Sequence, residues 1–203
     1  MIKPLSALAL TTALTLAACS PAETEAPPLV EGAWTVDSNA SRLSYVSVKS
    51  GEVAETNEFT GLSGSVSPDG AAMVEIDLAT VSTGVDIRNE RMRDIFFNIA
   101  EFPTASVTAQ LDPAAFEGLG VGESTIQPVA ATLSVKGVET KVDAELEVTR
   151  VADDRVLATS TKPVIVYADA LELADGLAQL QELAGLPSIT PAVPVTFSLA
   201  FER

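Results

Sequence analysis

From Trp34 to the C-terminus, apolar residues recur at every second position, the period of a strand with one dry and one wet face. In residues 138–148, Val138, Val142, Ala144, Leu146 and Val148 alternate with Glu139, Lys141, Asp143, Glu145 and Glu147. Val193, Val195, Phe197, Leu199 and Phe201 alternate with Pro194, Thr196, Ser198 and Ala200. Val74, Ile76 and Leu78 do the same, as do Ala105, Val107, Ala109 and Leu111. Turn residues separate these runs. Ser67, Pro68, Asp69 and Gly70 form a tight-turn composition, Lys136 and Gly137 divide residues 130–135 from 138–148, and Ala152, Asp153 and Asp154 divide the next pair. The pattern predicts eight or nine strands, and a long meander removes its edges most simply by closing into an antiparallel barrel.

Two stretches follow a helical period instead. Residues 88–98 (RNERMRDIFFN) run from polar to aromatic. Residues 171–184 place Leu173, Leu177, Leu180 and Ala184 on one face, with Gly185 and Pro187 behind them as stop signals. These are expected as one or two short helices capping a barrel end; a partner-binding helix is the other reading of the second.

The first eighteen residues do not belong to this pattern. Lys3 precedes an uncharged apolar run from Leu5 to Ala18, too short to span a bilayer as a helix and of the length of a signal-peptide core. It ends in Leu16, Ala17, Ala18 and Cys19, and Cys19 is the one cysteine of the chain. This resembles the lipobox of bacterial lipoproteins. The resemblance implies cleavage after Ala18, a diacylglyceryl thioether on Cys19 and acylation, as by palmitate, of the new amino terminus. Several acyl chains on one residue give stable membrane anchoring. A plain secretory signal with an incidental cysteine is the alternative. Residues 20–31 hold three prolines and three glutamates, a composition expected of an extended tether. The expected organisation is therefore a signal peptide over 1–18, a lipidated cysteine and tether over 19–32, and one barrel domain over 33–203. Ser20 stands where aspartate commonly marks inner-membrane retention, so the expected location is periplasm-facing on the outer membrane.

Composition narrows the chemistry. The chain has no histidine, which removes His-based triads, His metal ligands and histidine pH switches. One cysteine leaves no intrachain disulfide and no Cys-rich zinc site. A formal charge of −16 repels nucleic acid. We find no convincing pair of acid and base or activated nucleophile, so no catalytic residue and no metal ligand is assigned. Alternation alone does not say which face of the strands is dry, and a membrane-spanning barrel shares the period. An aromatic content of 5% leaves too few rings for interfacial girdles.

An ordered set of short motifs resembles the YceI family. It comprises Ile76, Asp77 and Leu78 through Ser82 and Thr83, then Arg88 and Asn89, Met92 and Arg93, Phe96, Phe97 and Asn98, and Phe102 and Pro103. Trp34, Asp37 and Ser41 fit its opening, and Leu133 to Val138 fit its "L-T-x-x-G-V". The resemblance covers roughly residues 33–203. It implies a lipocalin-like periplasmic barrel that binds a long apolar molecule, a polyisoprenoid or an isoprenoid quinone, with no other cofactor and no catalytic residues. The chain departs from the family in Asn89, where aspartate is usual, in its lack of histidine, and in a longer, more helical stretch over 169–191.

Small residues on the inward faces leave room for such a ligand, although they also suit a narrow filled core. Trp34, Tyr45, Phe59, Phe96, Phe97 and Phe197 are the candidate aromatic lining, with core packing as the alternative for each. Arg88, Arg91 and Arg93 form a local positive spot in an acidic chain. Arg88 is the candidate to orient polar ligand atoms; pairing with Asp86, Glu90 and Asp94 is the competing role.

Overall fold

The computed structural model describes Pro28, Leu29 and residues 31–203. The signal peptide, Cys19 and most of the tether lie outside the described residues.

Twelve strand segments alternate with short helical turns: β1 (Trp34–Val36), β2 (Arg42–Lys49), β3 (Val53–Phe59), β4 (Leu62–Val66), β5 (Ala71–Asp77), β6 (Val81–Ser82), β7 (Thr104–Gln110), β8 (Ser124–Val135), β9 (Val138–Ala152), β10 (Arg155–Ser160), β11 (Val164–Tyr167) and β12 (Ala192–Glu202). All pairings are antiparallel. The ring runs β1, β4, β5, β7, β8, β9, β10 and β12, and closes where β12 pairs β1. The remaining segments continue members of this ring past corners. β1 and β2 follow one another along β12, with Val36 opposite Phe201 and Arg42 opposite Ser198. β4 and β3 continue one another in the same way, as do β5 and β6, and β10 and β11. The result is an eight-stranded closed barrel, as the alternation predicts.

The corners account for several of the motif residues. Between β1 and β2 the buried Ser41 hydroxyl accepts from Ala200 N at 3.0 Å and stitches the bend to β12. Asp37 forms an ion pair with Arg155 at 2.9 Å. After β5, the Asp77 carboxylate caps a 3-10 turn (Leu78–Thr80) by accepting from Ala79 N at 2.9 Å. Thr80 Oγ1 in turn accepts from Gly61 N at 2.9 Å, tying this corner to the neighbouring strand. Lys136 and Gly137 both adopt positive φ, 52° and 79°, and Val135 faces Val138. That is the two-residue hairpin whose twist matches its strands, and glycine relieves its second left-handed position.

One end of the barrel is covered. Helix α1 (Asp86–Arg91) runs into a π-helical turn (Met92–Phe97), and helix α2 (Ala174–Leu183) follows a 3-10 turn (Asp169–Leu171). The two predicted helices therefore exist, but each is shorter than its periodic stretch and has a tighter or wider turn beside it. Under them Leu78 and Leu171 are each only 2% exposed. The opposite end carries the β4–β5 turn, residues 111–124 and the β9–β10 turn. There Arg150, itself 3% exposed, donates to the carbonyls of Leu119, Ala152 and Asp153. Arg203 donates to the carbonyls of Pro28 and Asp153, and its guanidinium lies 4.6 Å from the centre of the Trp34 ring. Leu29 is buried and its carbonyl accepts from Trp34 Nε1 at 2.8 Å. The packed body thus reaches back at least to Leu29, a few residues before the expected boundary at 33. One leucine among prolines and glutamates carries no periodic signal that would reveal this in the sequence.

Candidate ligand cavity

The inward face of every strand in the ring contributes to one cavity of about 380 Å³, within the usual range for small-molecule sites. Val74, Ile76, Ala105, Val107 and Ala109 line one side, and Val142, Ala144, Leu146, Val193 and Val195 line the other. The apolar face is therefore the inside of the barrel, the reverse of a membrane-spanning barrel with a polar lumen. The alanines and valines decide that a space remains, because an eight-stranded barrel is just wide enough for larger side chains to fill it.

The six candidate aromatics all reach this cavity. Trp34 lies toward the end opposite the helices, as do the lining residues Gly32, Ser67 and Pro68. Phe197 stands on the wall, and Tyr45, Phe59, Phe96 and Phe97 form a floor at the covered end. Their rings interlock: Tyr45 to Phe59 at 5.6 Å, Phe59 to Phe97 at 5.9 Å edge to face, and Phe96 to Phe97 at 4.9 Å edge to face. Leu29, Met92, Phe116 and Gln127 also line the cavity and were not singled out from sequence. Gln127 was the legible one among them. It sits two positions from Val129 and four from Ala131 in an alternating run, which places a polar side chain on the dry face.

The seventh candidate, Arg88, is not part of the cavity wall. Its Nη1 pairs with Glu55 Oε2 at 2.5 Å and its Nη2 donates to the Thr83 carbonyl at 2.5 Å. Glu55 also binds Lys49 at 2.7 Å. Lys49, and after it Arg88, hold the Glu55 carboxyl below its ordinary range, in spite of partial burial. The expected pairing of Arg88 with Asp86, Glu90 and Asp94 is replaced by this contact to β3, because α1 lies across the barrel end with that side chain turned toward the sheet. Nor do the three arginines make one positive spot. Arg91 donates to the Leu183 carbonyl at the end of α2, where the helix dipole favours a cation, and Arg93 approaches the Ala79 carbonyl at 3.5 Å.

Asn89 does what a carboxylate would do at its position. Its Oδ1 accepts from Thr83 N at 2.9 Å and from Thr83 Oγ1 at 2.6 Å, which fixes the start of α1 onto β6. The departure from the family pattern thus leaves the local architecture intact.

The family described as the YceI-like domain matches residues 34–201. The chain belongs to the YceI-like family. A solved domain from Saccharophagus degradans, described as a polyisoprenoid binding domain implicated in plant cell wall breakdown, is 40% identical and superposes with a TM-score of 0.81. That match covers 84% of this chain and 98% of the other. Burkholderia cenocepacia BcnA is 20% identical with a TM-score of 0.62, over 81% of this chain and 98% of that one. The Campylobacter jejuni YCEI protein is 13% identical with a TM-score of 0.52, over 72% and 84%. The latter two show a shared fold. No curated protein matches the chain. For a YceI-like barrel, the cavity and its aromatic floor are the features that bear on function.

Proposed function

We propose that this YceI-like protein is an envelope lipoprotein, anchored through Cys19, that carries one long apolar molecule of the polyisoprenoid or isoprenoid-quinone class inside its barrel and performs no catalysis. The observation that carries this reading is the continuous apolar lining of the cavity, from Leu29 and Trp34 at one end to Leu171 and Leu173 at the other. A slender hydrocarbon gains roughly 0.8 kcal/mol for each CH₂ it buries there. The likeness to the Saccharophagus degradans domain supports the choice of ligand class. The lipobox-like residues before Cys19 and the absence of aspartate at Ser20 support a periplasm-facing protein on the outer membrane.

Mass spectrometry of the organic extract of protein purified from its native envelope tests the ligand. An isoprenoid in near-stoichiometric amount is the expected result; a lipid-free extract, with no quinone or polyprenol raising the melting temperature, would leave a filled, ligand-free barrel instead. Ligand at a hundred times its Kd contributes roughly 2.7 kcal/mol, so the shift is measurable.

Anchoring is tested separately. The Cys19→Ser variant, made behind a cleavable secretory leader, is expected to appear in the soluble periplasmic fraction with the unaltered protein's melting curve, since all the anchoring signals lie before Trp34. Sedimentation of the variant with membranes would defeat the anchor reading.

A further inference from the structure

Polar atoms are scarce in the cavity, and they differ in how much of their hydrogen-bonding capacity is used. Among the described residues no charged side chain lines it, and Tyr45, Ser67 and Gln127 are the lining residues with polar side chains. At the covered end the Tyr45 hydroxyl donates to Met92 Sδ at 3.4 Å. At the other end Ser67 Oγ is engaged by the Asp69 carboxylate and the Ala71 carbonyl of its own turn. Gln127 differs from both. Gln127, Val129, Ala131, Leu133 and Val135 take the inward positions of β8 and all line the cavity. Val135 adjoins the hairpin at the covered end, where Lys136 Nζ donates to the Phe96 carbonyl at 3.3 Å. Gln127 stands eight positions before it, about 27 Å along the strand, and so belongs to the end opposite the helices. Its Nε2 donates to Thr125 Oγ1 at 3.1 Å, and the rest of the amide has no partner among the described residues. A hydroxyl can donate or accept, so whichever way the amide is turned a donor and an acceptor remain. An inward amide in a row of valine, alanine and leucine carries a desolvation cost that only a further hydrogen bond offsets.

We propose that Gln127 holds the polar end of the carried molecule and that this end is an uncharged oxygen group, so that the head rests at the end opposite the helices and the chain runs inward to the aromatic floor. The proposal rests on the ligand reading above and adds to it the orientation, the charge of the head and the residue that selects it. The floor end offers an apolar tail rings to pack against, and its one polar lining group, the Tyr45 hydroxyl, already has a partner. The amide of Gln127 suits a hydroxyl, which takes its acceptor or its donor, or a quinone carbonyl, which takes its donor. A diphosphate finds no cation on the cavity wall to compensate its charges.

The test titrates the delipidated protein with geranylgeraniol, with a quinone bearing the same prenyl chain, and with the hydrocarbon of that chain. The headed ligands are expected to bind roughly fivefold tighter than the hydrocarbon, the value of one neutral hydrogen bond. Gln127→Leu is expected to bring that ratio close to one, whereas a merely structural role would weaken all three ligands alike and leave the ratio as it was. The headed ligand that loses more identifies the head as hydroxyl or carbonyl. Gln127→Lys is the gain-of-function arm. Its ammonium can stay at the rim on a long stem. It is expected to make geranylgeranyl diphosphate bind roughly tenfold tighter than geranylgeraniol, a preference that the unaltered protein lacks. Trp34, the chain's one tryptophan, lines the same end and reports orientation. A nitroxide beside the head is expected to quench it more strongly than one at the tail terminus. Equal affinity for headed and headless ligands, a ratio that survives Gln127→Leu, a lysine variant without the new preference, or stronger quenching by the tail label would each overturn the proposal while leaving the carrier reading standing. Failure of the alcohol, the quinone and the hydrocarbon alike to bind would overturn both.

Discussion

Replacing Ala144 by phenylalanine is expected to weaken binding of a prenyl-chain ligand about a hundredfold without lowering the melting temperature. Ala144 lies on the inner face of β9, opposite Val129 on β8, and is half-buried because its methyl group looks into the cavity. A phenyl ring there would occupy space rather than displace packed neighbours, so the overpacking that penalises larger side chains in a filled core does not arise. It would exclude three or four methylene groups of the ligand. At roughly 0.8 kcal/mol each, that loss comes to about 3 kcal/mol, or two decades in Kd. Titration of the variant with geranylgeraniol, beside a thermal melt of the empty protein, checks both halves. Unchanged affinity would mean that the ligand lies outside the barrel. A melting temperature lowered by many degrees would mean that the inside is a tight core.

The second large effect lies at the covered end. Phe97 is 7% exposed and meets Phe59 and Phe96 edge to face. Truncation to alanine removes a buried ring and both aromatic contacts from a place where the π-helical turn, β3 and α2 converge. The expected loss is about 3–5 kcal/mol, a fall in melting temperature of roughly 6–20 °C for a domain of this size. Phe97→Leu keeps most of the buried volume and should cost a small part of that. Denaturant unfolding of both variants is the measurement. A loss under about 1 kcal/mol for the alanine variant would show that the floor is a loose cover and not part of the packed body.

These outcomes also divide what is local from what is not. The period of two predicted the strands because each carries its own wet and dry face, and that is a property of adjacent residues. For the same reason Lys136 and Gly137 announced a hairpin, whereas the small residues Ala105, Ala109 and Ala144 suited an open interior and a narrow filled core equally, and only the closed barrel shows the space. Trp34, Tyr45 and Phe197 were legible within strand segments, whereas Phe96 and Phe97 fall in the helical stretch 88–98 and Phe59 ends β3. β3 itself was not legible: Glu55, Asn57 and Glu58 break the contrast between its faces, so the inward position of Asn57 carried no signal.

What the amino-acid sequence by itself determined was the strand content, the turns and the apolar character of one face. The tertiary structure decided which way that face points. Closure of β12 onto β1 puts it inside and makes a cavity of it, and no residue's neighbours along the chain contain that information. Closure also chose the partners of charged and polar groups. Arg88 sits within a few residues of three acids, yet it pairs with Glu55, 33 positions away, because α1 is laid across the barrel end rather than left in solvent. Local sequence sets conformation through backbone sterics and turn chemistry, and the choice of partner follows from the packing of segments remote in the chain.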